Sequence, residues 1–221
     1  MIQSIWHSSP NFGHRRDKQH PSLVVLHYTA MDNADTALER LCDENAQVST
    51  HYLIAENGQL WQLVKEQFRA WHAGKGSWYG VEDINSASIG IELDNDGKSP
   101  YCSPQIETLI RLLTDILDRW ELPPKSVIGH SDIAPGRKWD PGPKFDWNRL
   151  SLHGLAIKTV KASAYPSDQN LDELLKAAGY TSAASEEHRL LAFRQRHRSY
   201  FKGPPDEVDK AILYQIATSQ K

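Results

Sequence analysis

Two short apolar runs constrain the fold of this chain more than any other feature. Leu23–Tyr28 is apolar as far as His27, which is typical of a strand buried inside a sheet. Ser88–Leu93 predicts a second strand, and the turn-forming residues 94–97 (DNDG) close it. Both strands carry one ionisable side chain near their ends, His27 and Glu92. A lone Glu in an apolar strand is more often an outward-facing residue than a positioned general base, so the residue type alone leaves both interpretations of Glu92 open.

Further strands and helices alternate with these two runs. Residues 51–55 and 60–64 predict a hairpin, in which Asn57 and Gly58 suit the positive φ values of a type I′ turn. Residues 126–128 predict another short strand. The alternation predicts an α/β domain with a mixed central β-sheet flanked by helices.

Two helices are predicted within this domain. Ala34–Cys42 is the shorter one. The longer one starts at Ser103 as N-cap with Pro104 at N1, keeps apolar residues at helical spacing as far as Trp120, and stops at Pro123. We expect its apolar face to pack on the sheet.

The chain changes character near residue 165. Three helical segments follow, at residues 168–178, 185–197 and 205–218, and strand-like patterns end. We therefore predict two domains, an α/β domain at residues 1–165 and a small C-terminal three-helix domain at residues 166–221.

Charge and hydropathy exclude several classes of protein. The 25 Lys and Arg residues against 28 Asp and Glu give a net charge of −3, which offers no basic field for a nucleic acid. No run approaches the ~20 apolar residues of a membrane span. No secretory signal is visible, so we expect a cytoplasmic protein as the sequence stands, and a periplasmic or envelope-anchored one if an export leader has been removed. We expect a monomer.

Ten histidines stand out in this composition. His27 closes one strand, His130 follows another, and Asp140 lies ten residues later in a loop rich in Pro and Gly. Two imidazoles and one carboxylate with an open fourth position are the ligand set of a catalytic zinc site. A histidine at a strand end is also a common half-buried residue, so these residue types alone leave both interpretations open.

Five motifs in order resemble those of the zinc-dependent N-acetylmuramoyl-L-alanine amidases, the family of the phage-lysozyme-type amidases and of the peptidoglycan recognition proteins. The motifs are residues 27–30 (HYTA), 49–54 (STHYLI), 70–74 (AWHAG), 88–93 (SIGIEL) and 129–142 (GHSDIAPGRKWDPG). The resemblance extends from about Trp6 to Leu150. It is nearest to bacterial members that add a C-terminal helical module.

The resemblance implies one Zn²⁺ ion held by His27, His130 and Asp140. It also implies Glu92 as the catalytic acid and base, and Lys138 as the cation that stabilises the tetrahedral oxyanion. The reaction would be hydrolysis, by a zinc-activated water, of the amide between N-acetylmuramic acid (or its 1,6-anhydro form) and the L-alanine of the stem peptide. The alternative is a peptidoglycan-recognition module that binds without catalysis.

Other residues are candidates for contacts with the peptidoglycan or muropeptide substrate. His51, His72 and Trp71 are predicted in a groove wall together with Tyr52 and Trp78, although sheet packing would also explain these side chains. The remaining six histidines are expected on the surface.

The C-terminal helices resemble a three-helix peptidoglycan-binding module. Cationic side chains cluster there and would either meet an anionic wall polymer or form a solvated helix face. They are Arg189, Arg194, Arg196, Arg198 and Lys202.

Overall fold

The computed structural model describes residues 2–18, 20–158, 165 and 169–219. Within them a mixed sheet is flanked by helices, which confirms the predicted fold class. The strands are β1 Ile5–Trp6, β2 Phe12–His14, β3 Leu23–Tyr28, β4 Tyr52–Ile54, β5 Leu60–Gln62, β6 Phe68–Ala70, β7 Ser88–Leu93 and β8 Val127–Gly129. The helices are α1 Ala34–Cys42, α2 Ile84–Ala87, α3 Ser103–Trp120, α4 His130–Ile133, α5 Trp147–Leu152, α6 Leu171–Ala177, α7 Glu186–His197 and α8 Glu207–Thr218.

The main sheet has the strand order β1-β5-β4-β7-β3-β8. Strands β4, β7, β3 and β8 run parallel to one another, whereas β5 is antiparallel to β4. Strands β2 and β6 form a separate antiparallel pair. Because the central strands are parallel, their carboxyl ends meet at one edge of the sheet, where side chains from several strands can converge.

The predicted hairpin forms between β4 and β5, but its turn differs from the prediction. Ala55 accepts a hydrogen bond from the Gly58 N–H at 2.9 Å and donates one to the carbonyl of Gln59 at 2.9 Å. Gly58 has a φ of 86°, whereas Asn57 does not adopt a positive φ. A type I′ turn needs positive φ at both central residues, so that prediction is wrong. The three-residue loop keeps glycine in the left-handed region at its last position.

Helix α3 spans the predicted residues and covers one face of the sheet. Its N-cap is Cys102 rather than Ser103, and no side chain caps the first turn. The buried residues of α3 pack against the alternate residues Ile89, Ile91 and Leu93 of β7. Each such aliphatic side chain contributes about 1.5–3 kcal/mol when buried. Helix α3 and this face of the sheet thus form one continuous apolar core.

The opposite face carries two separate clusters. Helix α1 packs on Leu53 and Leu63. Residues of α4, α6, α7 and α8 pack with Val25 of β3 and Ile128 of β8. The carboxyl ends of β3 and β7 lie between these clusters, which leaves room for a pocket on this face.

The three predicted C-terminal helices are present as α6, α7 and α8. Helix α6 begins after the N-cap Asn170. The predicted start, Asp168, lies outside the described residues. Ser185 caps α7, and Asp206 rather than Pro205 starts α8. The predicted boundary between residues 165 and 166 borders residues that are not described. The division into two domains therefore stays a prediction.

The C-terminal arginines are buried in ion pairs. All four arginines of the predicted cationic cluster are buried, so the solvated helix face predicted for them is wrong. Lys202, the remaining member of the cluster, is exposed. The pairs are Arg189–Asp172, Arg194–Asp209, Arg196–Asp132 and Arg198–Asp206 with Asp209. His197 is also buried instead of lying on the surface. Wall binding by this module stays a prediction without support from these arginines.

In the part of the chain that the structure describes, no helix combines the length and the apolar character that crossing a membrane would need.

Candidate active site

The carboxyl ends of three parallel strands bring the predicted site residues together. His27 of β3 is the register partner of Glu92 in β7, so the two side chains share one face of the sheet. Strand β8 pairs with the other side of β3 and runs directly into His130, the first residue of α4. The loop after α4 returns to this edge at Asp140, whose carbonyl accepts a hydrogen bond from the Ser131 N–H at 2.9 Å.

His27, His130 and Asp140 form a compact triangle. The atoms His27 Nδ1, His130 Nδ1 and Asp140 Oδ2 lie 2.9 Å from one another, and all three residues are buried. Among the described residues they are a group of His and Asp side chains placed to hold a metal ion. No sequence-adjacent pair contributes to this group, so the tertiary structure assembles it.

In both His27 and His130, the Nε2 atom points away from the triangle and has a hydrogen-bond partner that determines where the ring carries its proton. His130 Nε2 lies 2.8 Å from the carbonyl of Ala73, so it carries the hydrogen and donates it. The Nδ1 atom of His130 therefore keeps its lone pair and faces the centre of the triangle. Second partners of this kind are typical of metal-binding histidines.

His27 is oriented by a relay of polar groups. Its Nε2 atom lies 2.9 Å from Nδ1 of His72, and Nε2 of His72 lies 3.2 Å from the Ser88 hydroxyl. Ser88 donates its own hydrogen to the carbonyl of Ile84 at 2.5 Å, so it accepts from His72 and His72 accepts from His27. His27 Nδ1 is therefore also a lone pair directed at the triangle.

Charges in the triangle favour a cation. Burial and then the charge of His130 lower the pKa of His27 to about 4, so His27 is neutral at pH 7. Burial alone would raise the pKa of Asp140, but His130 and His27 hold it below its usual range. The two Nδ1 atoms and the Asp140 carboxylate oxygen thus point into the same small space. Nitrogen and oxygen donors of this type fit a zinc ion.

Glu92 is the other acidic group of this site. Its side chain is partly exposed, yet its Oε2 atom is buried and has no hydrogen-bond partner among the described residues. Burial and then the charge of Asp140 raise the pKa of Glu92 to about 8, and Lys138 opposes the shift. A carboxyl group that titrates near neutral pH and faces a pocket is suited to proton transfer.

A cleft of ≈ 360 Å³ lies over these residues. Helix α1 lines one side with Ala37, Arg40 and Leu41. The other side is the loop that carries Lys138 and Asp140. Lys138 is exposed, so its ammonium group is free to meet a molecule bound in the cleft.

The predicted groove residues divide into two groups. Trp71 and His72 are half-buried and line the cleft. His51 is fully buried, accepts a hydrogen bond from the Gly90 N–H at 3.0 Å through Nδ1, and contacts the carbonyl of Phe68 at 3.1 Å through Nε2. Its two ring nitrogens are thus used within the protein, which differs from the predicted substrate contact.

Two aromatic neighbours also differ from prediction. Tyr52 is buried and donates its hydroxyl hydrogen to Glu66 at 2.8 Å. Trp78 is buried against Tyr180, with ring centroids 5.1 Å apart. Both side chains pack inside the protein instead of forming a groove wall.

Sequence reasoning missed two supports of the site. Arg137, which had no predicted role, donates to the Ala73 carbonyl at 3.0 Å, so this carbonyl holds both Arg137 and His130. Gly90 allows His72 its position, because a Cβ atom there would lie 2.5 Å from a ring carbon of His72. A lone glycine within a strand is a signal of such close approach.

Comparison with known proteins identifies the family. The pattern of the N-acetylmuramoyl-L-alanine amidase family matches residues 17–143. N-acetylmuramoyl-L-alanine amidase AmiD from Escherichia coli is 39% identical over 223 residues, covering 86% of this chain and 80% of AmiD. 1,6-anhydro-N-acetylmuramyl-L-alanine amidase AmpD from Citrobacter freundii is 35% identical over 159 residues, covering 64% of this chain and 85% of AmpD.

Solved structures agree with this match. A complex of E. coli AmiD with the substrate anhydro-N-acetylmuramic acid-L-Ala-D-γ-Glu-L-Lys has a TM-score of 0.79 at 35% identity, covering 90% of this chain and 89% of that one. AmpDH3 from Pseudomonas aeruginosa in complex with anhydromuramic pentapeptide has a TM-score of 0.81 at 29% identity, covering 100% and 98%. The chain belongs to the N-acetylmuramoyl-L-alanine amidase family, the hydrolases that separate N-acetylmuramic acid from L-alanine.

Proposed function

We propose that His27, His130 and Asp140 hold one zinc ion, and that the chain uses it to hydrolyse the amide between the lactyl group of N-acetylmuramic acid and the L-alanine of the stem peptide. The observation that carries this proposal is the buried triangle of three acceptor atoms 2.9 Å apart beside Glu92. Zinc bound there would polarise the scissile carbonyl and lower the pKa of a water molecule to about 7.

Glu92 moves the proton in this reaction. Its carboxylate takes a proton from the water that attacks the carbonyl carbon, and passes it to the amide nitrogen as the C–N bond breaks. The carbonyl carbon keeps the hydroxyl group of the water, so the products are the lactyl carboxylic acid, which then ionises in water, and the free amine of L-alanine. A pKa of about 8 lies close to neutral pH, which suits a group that must first accept a proton from water and then donate it to the amide nitrogen.

Lys138 stabilises the negative charge that develops on the carbonyl oxygen. It lines the cleft two residues before Asp140 and is exposed to a bound molecule. A cation that faces the developing charge lowers the barrier, and removal of one such group typically costs about 10²–10³ in rate.

Trp71 forms part of the wall that binds the substrate, since its half-buried ring lines the cleft and can stack on a sugar or peptide group. His72 contributes mainly by orienting His27. His51 supports the backbone of β7 through Gly90.

The substrate includes soluble fragments with the 1,6-anhydro sugar. The support is that two similar proteins, AmiD and AmpDH3, have structures with anhydro-muropeptides. The test is digestion of a purified anhydro-muropeptide and of intact sacculi in parallel, followed by mass spectrometry. Release of the free stem peptide from the soluble fragment is expected.

Other outcomes of this digestion would contradict the proposal. An unchanged muropeptide in the presence of zinc would favour a recognition module that binds without catalysis. A shortened peptide still attached to the sugar would indicate a peptidase.

The same digestion bears on where the protein acts. Cleavage of the soluble fragment alone would support cytoplasmic recycling, whereas release from sacculi would support a role in the cell envelope.

A further inference from the structure

A buried hydrogen-bond network lies directly behind His130. Asp132, in the same short helix α4, is 1% exposed. Its Oδ2 atom accepts from the Gly129 N–H at 2.8 Å and from Arg196 Nη1 at 3.0 Å, and its Oδ1 atom accepts from the Tyr180 hydroxyl at 3.0 Å. Asp132 thus connects the residue before His130 to the C-terminal helical segment.

Arg196 of α7 holds this turn from two directions. Besides Asp132, it donates through Nη2 to the carbonyl of Val127 at 2.9 Å. Its guanidinium carbon lies 4.3 Å from the centre of the Trp147 ring, which fixes the plane of the group. Val127 begins β8 and His130 follows its end, so one arginine binds both the strand and the turn that carry this residue.

The neighbouring residue of α7 reaches the other end of the same loop. Gln195 donates through Nε2 to the carbonyl of Trp139, the residue before Asp140. Two consecutive residues of α7 therefore contact the two places from which His130 and Asp140 project. The residue after His130 is also linked to Asp140, because the Ser131 N–H donates a hydrogen bond to the Asp140 carbonyl.

We propose that α7 is a positioning element of the metal site, in which Arg196 acts through Asp132 on His130 and Gln195 acts through Trp139 on Asp140. This inference rests on the proposed function, because it assumes that these two residues bind zinc. Metal affinity depends on ligand geometry held to within about 0.5 Å. Loss of a residue that orients a ligand typically costs about 10–100-fold in metal affinity.

Arg194 provides a matched control on the same helix. It is buried like Arg196 and pairs with Asp209 of α8. Its other hydrogen bonds go to the carbonyls of Gly203 and Pro204 at 2.6 and 2.8 Å, within the C-terminal helical segment. Arg194→Met therefore breaks a comparable buried ion pair that does not reach residues 127–140.

The experiment measures the dissociation constant for zinc of the full chain by competition with a chromogenic chelator, together with thermal unfolding of the metal-free proteins. We expect Arg196→Met to weaken zinc binding about 10–100-fold, and Arg194→Met to bind zinc within about threefold of wild type although it also unfolds at a lower temperature. Gln195→Ala removes only a half-buried amide, so it keeps the fold and gives a smaller loss of zinc affinity.

Equal zinc affinity in Arg196→Met, Gln195→Ala and wild type would overturn the inference, as would an equal loss in Arg194→Met and Arg196→Met. If Arg196→Met does not fold, Gln195→Ala decides alone, and unchanged affinity in it would overturn the inference. A wild-type chain that binds no zinc would instead overturn the proposed function, and this inference with it.

Discussion

Two buried clusters of charged and polar side chains differ in whether their charges are paired within the protein. In the C-terminal helices, Asp209 accepts hydrogen bonds from Arg194 and Arg198, so opposite charges pair within the protein. In the cleft, His27, His130 and Asp140 direct three acceptor atoms at one point. The first arrangement compensates its charges within the protein, whereas the second is a group of side chains that could hold a metal ion.

The contrast separates structural from functional burial of polar groups. Asp209 and Asp140 are both buried aspartates, and their residue type alone does not distinguish them. The partner distinguishes them, because a guanidinium brings its own donors and a neutral imidazole can present a lone pair. Variants in the cleft should therefore lower activity and leave stability nearly unchanged, whereas variants in the C-terminal cluster should lower stability and leave activity of the folded protein nearly unchanged.

His130→Ala should have the largest effect on function. It removes one of three proposed ligands, so we expect loss of zinc binding and of measurable amidase activity, whereas the metal-free protein stays folded. Zinc content by mass spectrometry and release of stem peptide check both points. His153→Ala, at an exposed position outside the cleft, serves as the control and should change neither. Full zinc content in His130→Ala would contradict the ligand assignment.

Glu92→Gln should separate catalysis from metal binding. The amide keeps the shape of the side chain but cannot accept the proton, so the rate should fall about 10²–10⁴-fold while one zinc ion stays bound. Steady-state kinetics on an anhydro-muropeptide and zinc content measured on the same sample check the prediction. Glu56→Gln, at an exposed position, should keep wild-type kinetics. Wild-type turnover in Glu92→Gln would show that another group moves the proton.

Asp209→Asn should produce the opposite pattern. It leaves Arg194 and Arg198 buried with less compensating charge, which typically costs about 3–5 kcal/mol of unfolding free energy. Urea unfolding measures this loss. The folded fraction should keep its zinc affinity, since Asp209 lies in α8 away from the cleft. A loss of zinc affinity without a loss of stability would contradict the contrast between the two clusters.

The pH dependence of stability should reveal His51 as a third kind of buried polar group, one that stays neutral and fully bonded. Burial and then the charge of Arg15 lower its pKa to about 3. Between pH 6.5 and 3 the unfolded chain binds a proton at His51 that the folded chain does not, so the stability that His51 provides is present above pH 6.5 and is lost as the pH falls.

The measurement is the free energy of unfolding of wild type and His51→Gln across this range. The slope for wild type should exceed that of the variant by up to one proton, about 1.4 kcal/mol per pH unit. Parallel slopes would mean that His51 is protonated in the folded protein.

The sequence predicted the local elements well. Strands β3 and β7 lie where the apolar runs indicated, because a short continuous apolar run is typical of a strand that is buried on both faces. Helix α1 also forms over the predicted residues. The type I′ turn and the N-cap at Ser103 were wrong, since φ at Asn57 and the first turn of α3 depend on how the chain packs around them. Ligand types and the order of the motifs were also visible from sequence.

Long-range pairing was not visible. Arg196 and Asp132 lie 64 residues apart, and no local pattern indicates that they meet. A run of arginines on one segment therefore resembled a solvated face, although each of the four is itself buried and has a carboxylate partner. His51 and His72 were both predicted to contact the substrate, yet one supports a strand and the other orients His27.

By itself, the sequence determined the α/β class, the set of candidate ligands and the membership in an amidase family, because these depend on residue type and short-range order. The tertiary structure alone decided which nitrogen of each histidine faces the triangle, which arginines are neutralised and how α7 contacts the loop with His130 and Asp140. Those features depend on contacts between residues far apart in the chain, whose geometry only the packed fold defines.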